Sequence, residues 1–118
     1  GIIAAGHPFE PVENREMVEI PPSYLHPDNY VLRVQGDSMI EDNIQDHDYV
    51  IIRRTQDIAA GKTVVAYING EATLKRYYPY PDHIELHPRN PRYDIITVSP
   101  DDDFRLGGEL LYVFRVYP

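Results

Sequence analysis

Thr63-Val64-Val65-Ala66-Tyr67-Ile68-Asn69-Gly70-Glu71-Ala72-Thr73-Leu74-Lys75-Arg76-Tyr77-Tyr78 is the stretch that decides the fold. Two runs rich in β-branched and aromatic residues flank Asn69-Gly70. That dipeptide tolerates the positive φ angles of a two-residue type I′ turn, so the stretch reads as a β-hairpin. The turn fixes the register and sets Lys75 opposite Val64. Alternation then puts Glu71, Thr73, Lys75 and Tyr77 on one face and Ala72, Leu74 and Arg76 on the other. Neither face is cleanly apolar, so pattern alone does not settle whether Lys75 is buried.

Outward from the hairpin the β pattern continues. Tyr30–Gln35 alternates, with Tyr30, Leu32 and Val34 on one face, and Asp48–Arg53 reads as a buried strand. Ile84–Leu86 and Ile95–Val98 are shorter strands around a Pro-rich turn region, and Leu110–Val116 closes the chain as an apolar and aromatic strand. Helix signals are confined to single turns at Pro22–Leu25 and Ser38–Asn43, the second with Ser38 or Asp37 as its cap. Eleven prolines lie mostly between the strands. The expected fold is mostly β, of twisted antiparallel strands with few short helical turns. Residues 1–20 lack periodicity and read as an extended arm, and 21–118 as the domain proper.

Composition narrows the function. A chain of 118 residues supports one core. The net charge of −8 would repel a phosphate backbone, so DNA is expected to be contacted only through another domain. No apolar run reaches the length of a membrane span and no secretory signal opens the chain. Cysteine is absent, which fits a reducing cytosol. The chain opens at Gly1 without Met, as an excised fragment would.

Three segments carry candidate chemistry. Gly36-Asp37-Ser38-Met39 puts a serine in a turn, with Met39 as an inward anchor. A serine hydroxyl is a poor nucleophile until a base takes its proton, and a lysine serves as that base only when burial populates its neutral amine. Lys75 is the candidate, and a Ser-His-Asp triad on Ser38 stays open by residue count, with none of the five histidines singled out as its base. Ile2-Ile3-Ala4-Ala5-Gly6-His7-Pro8 offers a small-residue bond, Ala5–Gly6, that an extended strand could present to such a pair. Each piece has a bland reading as well: a turn serine, a solvated strand lysine and a flexible linker. Gly61-Lys62-Thr63 lacks the glycine five residues upstream that a phosphate-binding loop needs, and leads into a strand, so it reads as a turn. The five histidines lack metal-ligand spacing, and Asp101-Asp102-Asp103 lacks that of a calcium loop. No cofactor or metal is expected. The ten tyrosines lack the basic groove of a nucleic-acid platform and read as core and interface residues.

In order, Gly36-Asp37-Ser38-Met39, Ile44–Val50, Gly61–Ala66 and Glu71–Arg76 resemble the C-terminal domain of the LexA repressors, a family that includes the UmuD proteins and self-cleaving phage repressors. The resemblance runs over nearly the whole chain. It implies Ser38 as nucleophile, Lys75 as general base and Ala5–Gly6 as the scissile bond; backbone N–H groups near Ser38 or Met39 would then stabilise the oxyanion. It also implies a homodimer formed partly through the C-terminal strand, a cytoplasmic protein, and cleavage stimulated by RecA filaments on single-stranded DNA. In a LexA the cut separates this domain from an N-terminal DNA-binding domain. Two other outcomes fit the resemblance: a UmuD-like polymerase accessory, and a catalytically silent dimerisation module of a transcription regulator. His47 departs from the pattern, since many relatives have Gly there.

Overall fold

The computed structural model describes residues 2–4 and 17–118. Eight strands form one curled, mostly antiparallel sheet: β1 Ile2–Ala4, β2 Asn29–Gln35, β3 Tyr49–Arg53, β4 Thr63–Ile68, β5 Glu71–Pro79, β6 Ile84–His87, β7 Ile96–Val98 and β8 Phe104–Phe114, in the order β1-β2-β3-β8-β4-β5-β6-β7. The helical content of the described residues is two 3₁₀ turns, Pro22–Tyr24 and Ile40–Asp42. No helix among them is long and apolar enough to cross a membrane.

The β4–β5 hairpin is the one its sequence specifies. Asn69 and Gly70 take φ values of 51° and 85°, Ile68 pairs with Glu71, and Val64 pairs with Lys75. Gly61 also has a positive φ, and Thr63 begins β4, so Gly61-Lys62-Thr63 is a turn entering a strand.

β8 holds the sheet together by pairing with β3 through Glu109–Phe114 and with β4 through Phe104–Glu109. A register shift interrupts each ladder, which bends the strand between its two partners. Gly108 sits at φ 147°, where a Cβ would collide with the Arg53 carbonyl oxygen. The expected start of this strand, Leu110, falls six residues too late, because Gly107-Gly108 reads as a strand terminator when the bulge cannot be seen. The strand also ends earlier than expected. Arg115 leaves the ladder to donate from Nε to Asp48 Oδ1 at 2.6 Å and from Nη2 to Asp48 Oδ2 at 3.1 Å.

The turn after Ser38 also differs from its expected form. Its N-cap is Met39, and no side chain caps it, so neither Ser38 nor Asp37 plays that part. His47 takes φ 71°, a conformation that favours Gly, and its ring is held by Arg33 and Asp46.

The curl gives two apolar clusters. One gathers Leu32, Val34, Met39, Ile44, Val50, Ile52, Val65, Ala72 and Leu74. The other gathers Val64, Ala66, Leu86, Val98 and Leu106. β4 feeds both by alternation, with Val65 to the first and Val64 and Ala66 to the second. β1 joins the sheet as its only parallel member among the described residues, with Ala4 in register with Gln35.

Candidate active site

The loop after β2 and the middle of β5 converge. The chain turns at Gly36, whose φ is 94° and whose N–H donates to Asp46 Oδ1 at 2.7 Å. Three residues on, Met39 is fully buried in the first cluster, which pins the loop from below. Ser38, between turn and anchor, has no solvent exposure.

A second loop straps this one down. Arg89 donates its backbone N–H to the Ser38 carbonyl at 2.7 Å, and Glu41 donates to the Arg89 carbonyl at 2.8 Å. Asn90 Nδ2 donates to the Asp37 carbonyl at 2.9 Å, and the Tyr93 hydroxyl donates to Asp37 Oδ1 at 2.6 Å. Asp42, in the 3₁₀ turn, accepts from Arg76 Nε and Nη2 at 3.0 and 2.8 Å and from Arg89 Nε at 3.1 Å. Arg76 follows Lys75 on β5, so this carboxylate ties the serine loop to the lysine strand. Charge-assisted, two-pronged contacts of this kind fix geometry better than a single neutral bond does.

On β5, Lys75 is 2% exposed, and it stands beside Val64 on the face opposite Leu74. Its Nζ lies 3.0 Å from Ser38 Oγ, 2.6 Å from Thr73 Oγ1 and 3.2 Å from the Leu74 carbonyl. Burial lowers its pKa from 10.5 to about 8, because a low-dielectric setting disfavours the charged form. At pH 7 roughly a tenth of the molecules then carry the neutral amine. The three acceptors match the three N–H bonds of the ammonium. After loss of one proton, two N–H bonds suffice for Thr73 and Leu74, and the lone pair is left facing the serine hydroxyl. A cleft of about 330 Å³, lined by Ile68, Asn69, Glu71, Thr73 and Ile96, adjoins Thr73.

Of the residues singled out from sequence, the structure brings Ser38, Met39 and Lys75 together. The Ala5–Gly6 bond lies outside the described residues. Thr73 is not singled out by its local sequence, although its place two residues before Lys75 on the same strand face is a usable signal. Asp42, Arg89 and Asn90 gave no local signal, since they meet the site only through tertiary contact.

Residues 1–111 match the Peptidase S24-like family model. The LexA repressor of Syntrophotalea carbinolica is 45% identical over 99% of this chain and 58% of its own length. The LexA repressor of Syntrophobacter fumaroxidans is 46% identical over 86% of this chain and 50% of its own. LexA repressor 2 of Pseudomonas syringae pv. tomato is 43% identical over 92% and 54%. The chain therefore spans about half the length of the curated relatives it matches.

Proposed function

The chain belongs to the Peptidase S24-like family, and from that premise we propose that it is the self-cleaving domain of a LexA-like repressor, hydrolysing its own Ala5–Gly6 bond with a Ser38–Lys75 dyad. The observation that carries the proposal is the 3.0 Å approach of a desolvated Lys75 amine to the Ser38 hydroxyl.

In this mechanism neutral Lys75 takes the Ser38 proton as Oγ attacks the Ala5 carbonyl carbon. The Met39 backbone N–H, with that of Ser38, stabilises the oxyanion. The tetrahedral intermediate collapses, the C–N bond breaks, and the Lys75 ammonium returns its proton to the departing Gly6 amine. Water then hydrolyses the Ser38 ester with Lys75 again as base. Thr73 and the Leu74 carbonyl hold the amine on target throughout. Support for delivery within one chain comes from β1. It ends at Ala4, paired with Gln35, three residues before Ser38 on the neighbouring strand. Holding the bond in the same molecule raises its effective concentration enough for a sparsely populated base to serve.

The wider biology is part of the same proposal. Residues 1–20 form the cleavage-site arm, and 21–118 the peptidase and dimerisation domain. Two copies pair through β8, whose Leu110–Phe114 half is laddered on the β3 side alone among the described residues and exposes Tyr112. RecA filaments on single-stranded DNA stimulate the cut, and DNA is held by a separate N-terminal domain.

The test is mass spectrometry of the wild type, Ser38→Ala and Lys75→Ala after incubation at pH 7 and pH 10, with and without RecA, single-stranded DNA and a nucleotide. Loss of Gly1–Ala5 from the wild type alone, faster at pH 10 without RecA, is the expected result. A wild type that stays intact under every condition, or a Ser38→Ala protein that is cut equally, would sink the proposal.

A further inference from the structure

A pocket of about 240 Å³ opens between the start of β2, the end of β3 and the β4–β8 ladder, apart from the dyad. Tyr30, Arg54, Gln56, Tyr67, Arg105 and Gly107 line it, and none of the described residues lining it is acidic. The chain as a whole has 19 acidic and 11 basic residues, so an acid-free pocket with two arginines stands apart from the rest of the surface. Arg53, Arg76, Arg89 and Arg115 each pair with a carboxylate, whereas Arg54 and Arg105 pair with none among the described residues.

Each guanidinium nonetheless rests against a ring. Arg54 lies over the Tyr30 ring at 4.7 Å and Arg105 over the Tyr67 ring at 4.1 Å. Stacking uses the face of a guanidinium and leaves its edge N–H groups available. The rings in turn rest on a rigid floor. The Tyr30 hydroxyl donates to the Gly107 carbonyl at 2.7 Å. Gln56 Nε2 donates to the Leu106 carbonyl at 2.8 Å. A Cβ at Gly107 would meet the Tyr67 ring at 2.6 Å, so the backbone is packed directly beneath it. Two guanidiniums that rest on aromatic rings and make no ion pair among the described residues thus line one acid-free pocket.

We propose that this pocket binds the phosphate group of a small phosphate monoester. Two guanidiniums offer more N–H donors than one carboxylate can accept, while a phosphate dianion has oxygens for both. The volume suits such a group rather than a drug-sized molecule. The adjoining cleft, which shares Tyr67 and Arg105 and adds Asp103, leaves room for the ester's remainder. The site is independent of the proteolytic reading and stands whether or not that reading does.

The experiment is a titration of the 118-residue Ser38→Ala chain with inorganic phosphate, followed by the NMR signals of the Arg54 and Arg105 side chains and the Gly107 amide. Sodium acetate and sodium chloride at matched ionic strength are the comparison arms. Phosphate should saturate with a Kd on the order of 1 mM, and acetate and chloride should not. Arg54→Gln with Arg105→Gln should weaken phosphate at least tenfold. Both side chains are exposed, and the Arg→Lys pair, which keeps charge but loses the fork, provides a second readout if the first variant misfolds. Shifts that never saturate, an equal response to acetate or chloride, or a Kd unchanged by both pairs of substitutions would overturn the proposal.

Discussion

Over Ala72–Lys75 the two faces of β5 are both buried and chemically opposite. Ala72 and Leu74 enter the first apolar cluster, while Thr73 and Lys75, one residue out of phase, carry polar atoms into an interior just as dry. The apolar face is held by area removed from water. The polar face is tolerated because each Lys75 N–H has an acceptor, and its burial is the source of the depressed pKa. One strand therefore separates the residues that hold the fold from those that would run the chemistry.

Replacing Lys75 by an apolar side chain makes the two faces alike. Lys75→Met should abolish self-cleavage, by about 10³-fold or more, yet leave the protein folded and more stable at pH 7 by about 1–3 kcal/mol. Denaturant melts beside mass spectrometry would check it, and a Lys75→Met protein that still cuts itself would end the assignment of the base. Leu74→Ala should do the reverse, removing about 3 kcal/mol of stability while the residual folded protein keeps its pH profile. Because the Lys75 pKa falls from 10.5 in the unfolded chain to about 8 in the fold, the unfolded state binds more protons between those values. Stability attributable to this group is therefore fully present above pH 10.5 and lost as pH falls through 8, an effect of about 3 kcal/mol. The difference between wild type and Lys75→Met, measured by guanidinium melts from about pH 7 to about pH 11, isolates it. A difference that stays constant with pH would mean that the amine is not desolvated.

The Asp42 clamp between the serine loop and β5 is the next target. Asp42→Asn weakens the contacts to both Arg76 and Arg89 and should cost about 2 kcal/mol, read from the same melts. Thr73→Val is the smallest step. It removes the 2.6 Å acceptor of the Lys75 amine while keeping the shape of the side chain. The cleavage midpoint should move below about pH 8, since the ammonium loses more than the amine, and the high-pH plateau should fall about tenfold as aim is lost. A rate profile of Thr73→Val that overlays the wild type would show that Thr73 does not position the base.

Much of this was legible in the sequence for reasons that are local. Asn69-Gly70 accepts the turn angles few other residues accept, so hairpin, register and the Val64–Lys75 pairing followed. Ser38 next to Met39 reads as a tethered turn, and it is one. The first half of β8 was hidden because Gly107-Gly108 looks like an ending unless the bulge and its two partner strands are known. β1 was hidden because three residues carry no periodicity, and its parallel ladder to β2 is a long-range choice.

By itself the sequence determined the alternation, the turns, the absence of cysteine and the presence of a serine and a lysine in separable segments, since each of these depends on near neighbours. Only the tertiary structure decided that Lys75 is buried, that Thr73 and Leu74 supply its acceptors, and that Asp42, Arg89 and Asn90 fasten the serine loop to it. The physical reason is that desolvation and hydrogen-bond geometry belong to the space a residue occupies, and residues 37 positions apart share that space only once the sheet has curled.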